Sequence, residues 1–131
     1  MIKIGAFRFT YFTDKYEETV EFYEQTLGLE LEHSWERNEH DKGTLIKAGA
    51  GLIEVLLRPE NDEHKYPGLD YRVAQGAFMV LQVFNIDELF ESYKSAEVPF
   101  EQEITYQPWG HRSFSVIEPN GLILSFYEER Y

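Results

Sequence analysis

Two halves of this chain carry the same signals in the same order. An offset of 71 residues maps Phe7 onto Phe78, Asp14 onto Asn85, Glu17 onto Glu88 and Glu54 onto Ser125. Each half reads as strand–helix–strand–strand–strand, with the helix-capping signals in register. A fixed period this long restricts the chain to two copies of one supersecondary unit.

In the first half, residues 2–12 read as a strand, with Phe7, Phe9 and Tyr11 on one face and Ala6, Arg8, Thr10 and Phe12 on the other. Asp14 takes the N-cap and Glu17 the capping-box position of a helix that runs to about Leu27. Tyr16, Val20, Tyr23 and Leu27 form its inward stripe, and Gly28 ends it as a left-handed cap. A strand over 29–35, a charged turn over 36–42 and a hairpin of 43–49 with 52–57 follow. Arg58–Arg72, with two prolines, Pro67-Gly68 and many charges, reads as an exposed connector.

The second half opens with a strand over 76–84. Asn85 and Glu88 cap a helix to about Ala96, with Ile86, Leu89, Phe90 and Tyr93 inward. A strand over 98–103 leads to a final hairpin around Glu118-Pro-Asn-Gly121. There Pro119 presets φ, and Asn120 and Gly121 tolerate left-handed values.

Composition narrows the chemistry. A length of 131 residues suits one domain, or two small halves sharing a core. No cysteine is present, so disulfides, thiolate catalysis and cysteine-held zinc or iron–sulfur centres are excluded. The formal charge of −12 argues against nucleic acid, whose affinity comes mainly from Lys and Arg, and permits a cationic ligand. No basic segment followed by an apolar stretch opens the chain, and no apolar run would span a bilayer. A soluble, cytoplasmic protein without a membrane partner is expected. P-loop, Rossmann and nucleophile-elbow patterns are missing.

The run Asp14-Lys-Tyr-Glu-Glu-Thr-Val-Glu-Phe-Tyr-Glu-Gln-Thr-Leu-Gly-Leu29 resembles the helix of the glyoxalase/bleomycin-resistance/extradiol-dioxygenase superfamily, also called the vicinal oxygen chelate superfamily. Glu118-Pro-Asn-Gly121 resembles that superfamily's Asp-Pro-Asp/Asn-Gly turn, and the similarity covers nearly the whole chain. The resemblance implies an α+β fold of two paired βαβββ modules, forming a curved, mostly antiparallel sheet around a cavity, usually in a homodimer. Residues 1–131 would then be one domain, with module one at about 1–60, a connector at about 58–72 and module two at about 73–131.

Metal-dependent members hold a divalent ion with His, Glu, His and Glu. Carried over by position, these become Phe7, Glu54, Phe78 and Ser125. Only Glu54 is a ligand, and one carboxylate cannot fix an ion that needs three or four donors. No metal and no cofactor are expected, and the character is closest to the metal-independent bleomycin-resistance branch, which carries a Trp-Gly near the position of Trp109-Gly110.

The candidate ligand-binding residues follow from that mapping. Phe7 and Phe78 would form an aromatic floor, extended by Tyr11 and Gln82 on the same faces, with Ser125 facing the cavity. Glu54, in the apolar strand Leu52-Ile-Glu-Val-Leu-Leu57, is paired, exposed on an edge, or pocketed as a candidate base. Trp109 either stacks on a ligand or packs on a partner subunit. His111, beside Arg112, is either a proton shuttle or a solvated residue at a strand entry. His33, His40 and His64 read as surface residues, and Trp35 as a rim residue.

The leading expectation is a metal-independent protein that sequesters an aromatic or cationic compound in a hydrophobic cleft, as the resemblance to the bleomycin-resistance branch implies. The rivals are an isomerase, lyase or dioxygenase-like enzyme using Glu54 or an atypical metal site, and a regulatory or structural dimer with a vestigial cavity.

Overall fold

The computed structural model describes residues 1–60, 65 and 68–131. Two compact units result, Met1–Ala74 and Gln75–Tyr131. His64 and Pro67, read above as surface and turn residues, lie outside the described residues.

The first unit runs β1 (Arg8–Thr13), α1 (Tyr16–Glu21) with a π-helical turn over Phe22–Thr26, β2 (Leu31–Asn38), β3 (Asp41–Ala48) and β4 (Gly51–Leu57). The second runs β5 (Phe78–Gln82), α2 (Ile86–Ser95), β6 (Phe100–Tyr106), β7 (His111–Ile117) and β8 (Ile123–Glu129). The strand orders match: β1-β4-β3-β2 in one sheet and β5-β8-β7-β6 in the other. In each, the first strand joins the last in parallel, and the remaining pairings are antiparallel. The fold is α+β, built from two βαβββ modules.

One face of each sheet is packed and the other open. In the first unit Tyr11, Thr13, Thr44, Ile46, Ile53 and Val55 are buried together with Phe22, Tyr23 and Leu27 of the helical segment. In the second, Phe114, Val116, Leu124 and Phe126 are buried with Ile86, Phe90 and Tyr93 of α2. Rings of Phe90, Tyr93, Phe100, Phe114 and Phe126 meet at 5.0–5.9 Å, mostly tilted or edge-on. Alternation along each strand sends the intervening residues to the open face.

Several boundaries differ from the sequence reading. The first strand begins at Arg8, so residues 2–7 do not extend it. Neither helix has a side-chain cap, and α1 is entered from Lys15. The Thr13 hydroxyl accepts the Lys15 N–H at 2.8 Å, which turns the chain one residue later than an Asp14 cap would. Asp14 instead faces Arg58 at 3.6 Å. β2 and β6 run several residues further than expected, so the charged turn shrinks to residues 39–40. The connector is not simply exposed: Pro59 and Tyr71 are buried. The Tyr71 ring packs on Phe12 at 4.6 Å, and its carbonyl accepts from Arg58 Nε at 2.8 Å.

The start of α1 also changes the period. Thr10 pairs with Glu54 as Val80 pairs with Ser125. The offset is therefore 70 (80 less 10) in the first strands and 71 (125 less 54) in the last. The residue equivalent to Phe78 is Arg8, not Phe7.

Candidate functional site

On the open face of the first sheet lies a cleft of about 460 Å³. Strand alternation supplies Phe12 from β1, Trp35 and Arg37 from β2, and Glu54 and Leu56 from β4. Tyr71 and Leu69 come from the segment after β4. No residue of α1 lines it.

Trp35 stands opposite Gly43 in the β2–β3 ladder, and its indole occupies the space a Cβ at 43 would fill. His33 stacks beside it at 5.9 Å, and the Arg37 guanidinium lies 5.8 Å from its centroid. Arg37 in turn grips Asp41 with two hydrogen bonds, of 2.7 and 3.1 Å. That grip, with a smaller share from the nearby Trp35 indole, holds the Asp41 carboxyl below its ordinary range. The buried indole N–H nevertheless lacks a hydrogen bond of good geometry.

Glu54 and Asp41 are carboxylates lining this cleft, and the Glu54 side chain is 15% exposed. One oxygen accepts the Thr10 hydroxyl at 2.8 Å, and the other accepts from an Arg8 guanidinium nitrogen at 3.2 Å. Of the three alternatives read from sequence, Glu54 is both pocketed and paired.

The remaining candidates are dispersed. Tyr11 is buried on the helix side, where its hydroxyl meets that of Tyr23 at 3.1 Å. It shares that face with Phe9, so the cavity position assigned to Tyr11 falls to Thr10 and Phe12. Phe7 precedes β1 and is 74% exposed, and its carbonyl accepts from the Leu52 N–H at 2.8 Å.

In the second unit, Phe78 and Gln82 of β5 and Ser125 of β8 alternate with the buried Met79, Leu124 and Phe126, which places them on the open face. His111 is on that side too, stacked on Tyr127 at 4.4 Å and 3.2 Å from the Tyr131 hydroxyl. Trp109 is 61% exposed, with its ring 6.3 Å from His111. The structure thus places Phe78, Gln82, Ser125 and His111 on one sheet of the second unit, with Trp109 in the turn before β7, and Glu54 with Trp35, Phe12 and Tyr71 in the first. Arg8, Phe12 and Tyr71 were not among the expected site residues. The Arg8/Thr10/Phe12 alternation was the available signal for the first two. Tyr71 had none.

The divalent-ion set implied by the resemblance does not fit these residues. Of Arg8 (or Phe7), Glu54, Phe78 and Ser125, only Glu54 is a carboxylate, and it already receives a guanidinium. Among the described residues no three His, Cys, Asp or Glu side chains cluster as ligands would. No helix among them is long and apolar enough to cross a membrane.

Duplicated βαβββ units of this order are the fold of the vicinal oxygen chelate class. The chain belongs to the Glyoxalase/Bleomycin resistance protein/Dioxygenase superfamily, whose sequence model matches residues 5–126. Solved structures agree at low identity. A lactoylglutathione lyase from Agrobacterium tumefaciens superposes with a TM-score of 0.72 at 18% identity, covering 97% of this chain and 95% of that one. TnmS3, an antibiotic binding protein from Streptomyces sp. CB03234, gives 0.71 at 16%, covering 98% of each chain. TioX from Micromonospora sp. ML1 gives 0.72 at 17%, covering 95% and 98%. At these identities the likeness is one of fold. A comparison with curated protein sequences gives no match.

Proposed function

We propose that this chain is a metal-independent small-molecule-binding protein that holds a flat aromatic compound in the cleft of its first unit. The cleft itself carries the reading: about 460 Å³, with Trp35 beneath and Phe12, Leu56 and Tyr71 beside it. Its volume falls in the ordinary range of ligand sites, roughly 300–1,000 Å³, and its lining is half apolar or aromatic and half polar or charged, Arg37, Lys42 and Glu54 among the latter. Stacking on Trp35 adds ~0.5–1.5 kcal/mol beyond burial. The antibiotic-binding neighbour TnmS3 supports the same class of function. A cationic group gains Glu54 only by displacing Arg8, so aromatic surface rather than positive charge is the primary recognition element.

The test uses a Trp109→Phe protein, in which Trp35 is the only indole. A saturable change in its emission on titration with planar aromatic compounds is expected. Trp35→Ala should weaken binding about tenfold or more, as 1.4 kcal/mol is a factor of ten. The ligand recovered after long incubation should be chemically unchanged. Converted ligand would make the protein an enzyme, and absence of saturable binding would remove the cleft as the site.

A cytoplasmic homodimer completes this reading. Phe78, Val80 and the nearby Phe84 are exposed on or next to β5, an edge strand, and partner strands or helices commonly cover such edges. Sedimentation showing only monomer at micromolar concentration contradicts it.

A further inference from the structure

We propose that Arg8 is the ligand anchor of this protein, and that the aromatic ligand carries an anionic oxygen group, a carboxylate or phenolate, which the guanidinium receives. The proposal rests on the cleft of the first unit being the ligand site.

Register makes the first argument. Arg8 stands to Leu52 as Phe78 stands to Ile123, so Arg8 holds the strand position at which the resemblance implies a metal-ligating histidine. A permanent cation replaces a ligand for a cation. Its nitrogen lies 3.2 Å from Glu54, a carboxylate that lines the cleft. The guanidinium places a positive group next to Glu54 without a bound ion, and the pair as a whole is neutral.

Unspent donors make the second. A guanidinium presents five N–H groups in a rigid fork suited to carboxylate and phenolate oxygens. Arg8 spends one nitrogen on Glu54, the others have no hydrogen-bond partner among the described residues, and its side chain is 50% exposed. Glu54 is itself fixed by Thr10, so the fork is oriented before a ligand arrives. Nearby cations are turned aside: Arg37 is bidentate on Asp41, and Lys42 reaches Glu17 and Glu36 at 3.3 and 3.4 Å.

Charge balance makes the third. Acidic residues outnumber Lys and Arg 24 to 12 in the whole chain. Among the described residues Arg37, Lys42 and Lys65 line the cleft against Asp41 and Glu54, Glu17 and Glu36 pair with Lys42 from outside it, and Arg8, bonded to Glu54, is not itself part of the lining. The surroundings of the cleft are thus close to charge balance on an otherwise acidic protein, so an anion is repelled less here than over most of the surface.

The test is calorimetry with three probes sharing one ring system: 2-naphthoate, 2-naphthamide and 2-naphthylmethylammonium. The naphthoate should bind tightest, about ten- to a hundredfold above the amide, as expected for a charge-assisted hydrogen bond. Arg8→Gln should bring the naphthoate down to the amide level and leave the amide unchanged. Unchanged amide binding also shows that the variant keeps its cleft. Arg8→Lys should keep part of the preference, since it keeps charge but loses the fork. Equal binding of the three probes leaves the cleft standing and removes the anchor. Tightest binding of the ammonium transfers the anchor to Glu54 and overturns the proposal. Absence of binding by any probe overturns both the anchor and the cleft.

Discussion

Trp35 lies across Gly43, its partner in the β2–β3 ladder, with no room for a Cβ between them. The glycine is therefore what lets the indole lie down as the base of the cleft. A strand interior normally disfavours glycine, and here the aromatic partner covers the exposed backbone in return. Gly43→Ala should lift the indole and cost about 1–3 kcal/mol, as overpacking does. In a Trp109→Phe background the emission of Trp35 should shift to the red. An unchanged melting temperature together with an unchanged emission maximum would show that the indole is seated elsewhere.

The turn that closes the last hairpin depends on Glu118, which is fully buried. Its carboxylate accepts the Asn120 N–H at 2.6 Å, the Asn120 side-chain amide at 2.8 Å and the Leu122 N–H at 2.9 Å. Gly121 supplies the positive φ of 87°. Glu118→Ala removes the acceptor of these three hydrogen bonds, at about 1–3 kcal/mol for each donor that stays dry, so a loss of at least about 1–3 kcal/mol is expected. Glu118→Gln retains one acceptor oxygen and should lose distinctly less. Urea unfolding of the two variants measures the contrast, and equal losses would mean that side-chain volume matters more than these bonds.

The order of elements was legible because the signals that set it are local. Turn residues such as Asn120-Gly121 and Gly28, and the apolar period of α2, give the same answer wherever the chain places them. The site was less legible because it hangs on a one-residue register. Asp14 is a better helix cap by residue type than Lys15, yet the Thr13 hydroxyl takes the Lys15 N–H and delays the helix. In a strand, one residue is the difference between opposite faces. That slip moved the expected site from Arg8, Thr10 and Phe12 onto Phe7 and Tyr11. The wall formed by Tyr71 was hidden for another reason: a long-range contact from an aperiodic connector leaves no pattern in sequence.

An ionic network fastens α2 to its sheet. Asp87 at the start of the helix bonds Arg112 of β7 at 2.8 Å and Arg130 at 2.7 Å, and Arg130 also bonds Glu128 at 2.6 Å. Arg112 first, then Arg130, holds the Asp87 carboxyl below its ordinary range. Arg130, aided by the Ile86 N–H, does the same for Glu128. Carboxyls depressed in the folded state contribute stability above the unfolded carboxylate pKa of about 4, and the contribution is lost as pH falls through their lower folded values. Asp87→Asn should therefore lower the melting temperature at pH 7, and the gap to wild type should narrow steadily below about pH 4. A gap that stays constant down to pH 2 would mean that the loss comes from packing rather than charge.

Arg8 and Glu54 together form a closed ion pair at the strand position where the resemblance implies a metal site, with Thr10 completing the carboxylate's partners. A divalent ion placed there would face a guanidinium about one hydrogen bond away from its only anionic ligand, and like charges at that range repel by about 1 kcal/mol in water and several times more near a protein surface. Phe78 offers no lone pair, and Ser125 offers only a neutral hydroxyl, a weak ligand for zinc, nickel, iron or manganese. Elemental analysis of tag-free protein should find far less than one such ion per chain. Added zinc should leave the melting temperature unmoved, because a ligand stabilises a fold only when it binds the folded form more tightly than the unfolded one. Arg8→Ala removes the repulsion but supplies no new donor, so it should gain no metal either. One transition metal per chain in the wild-type protein, lost on Glu54→Gln, would overturn the argument from the ion pair.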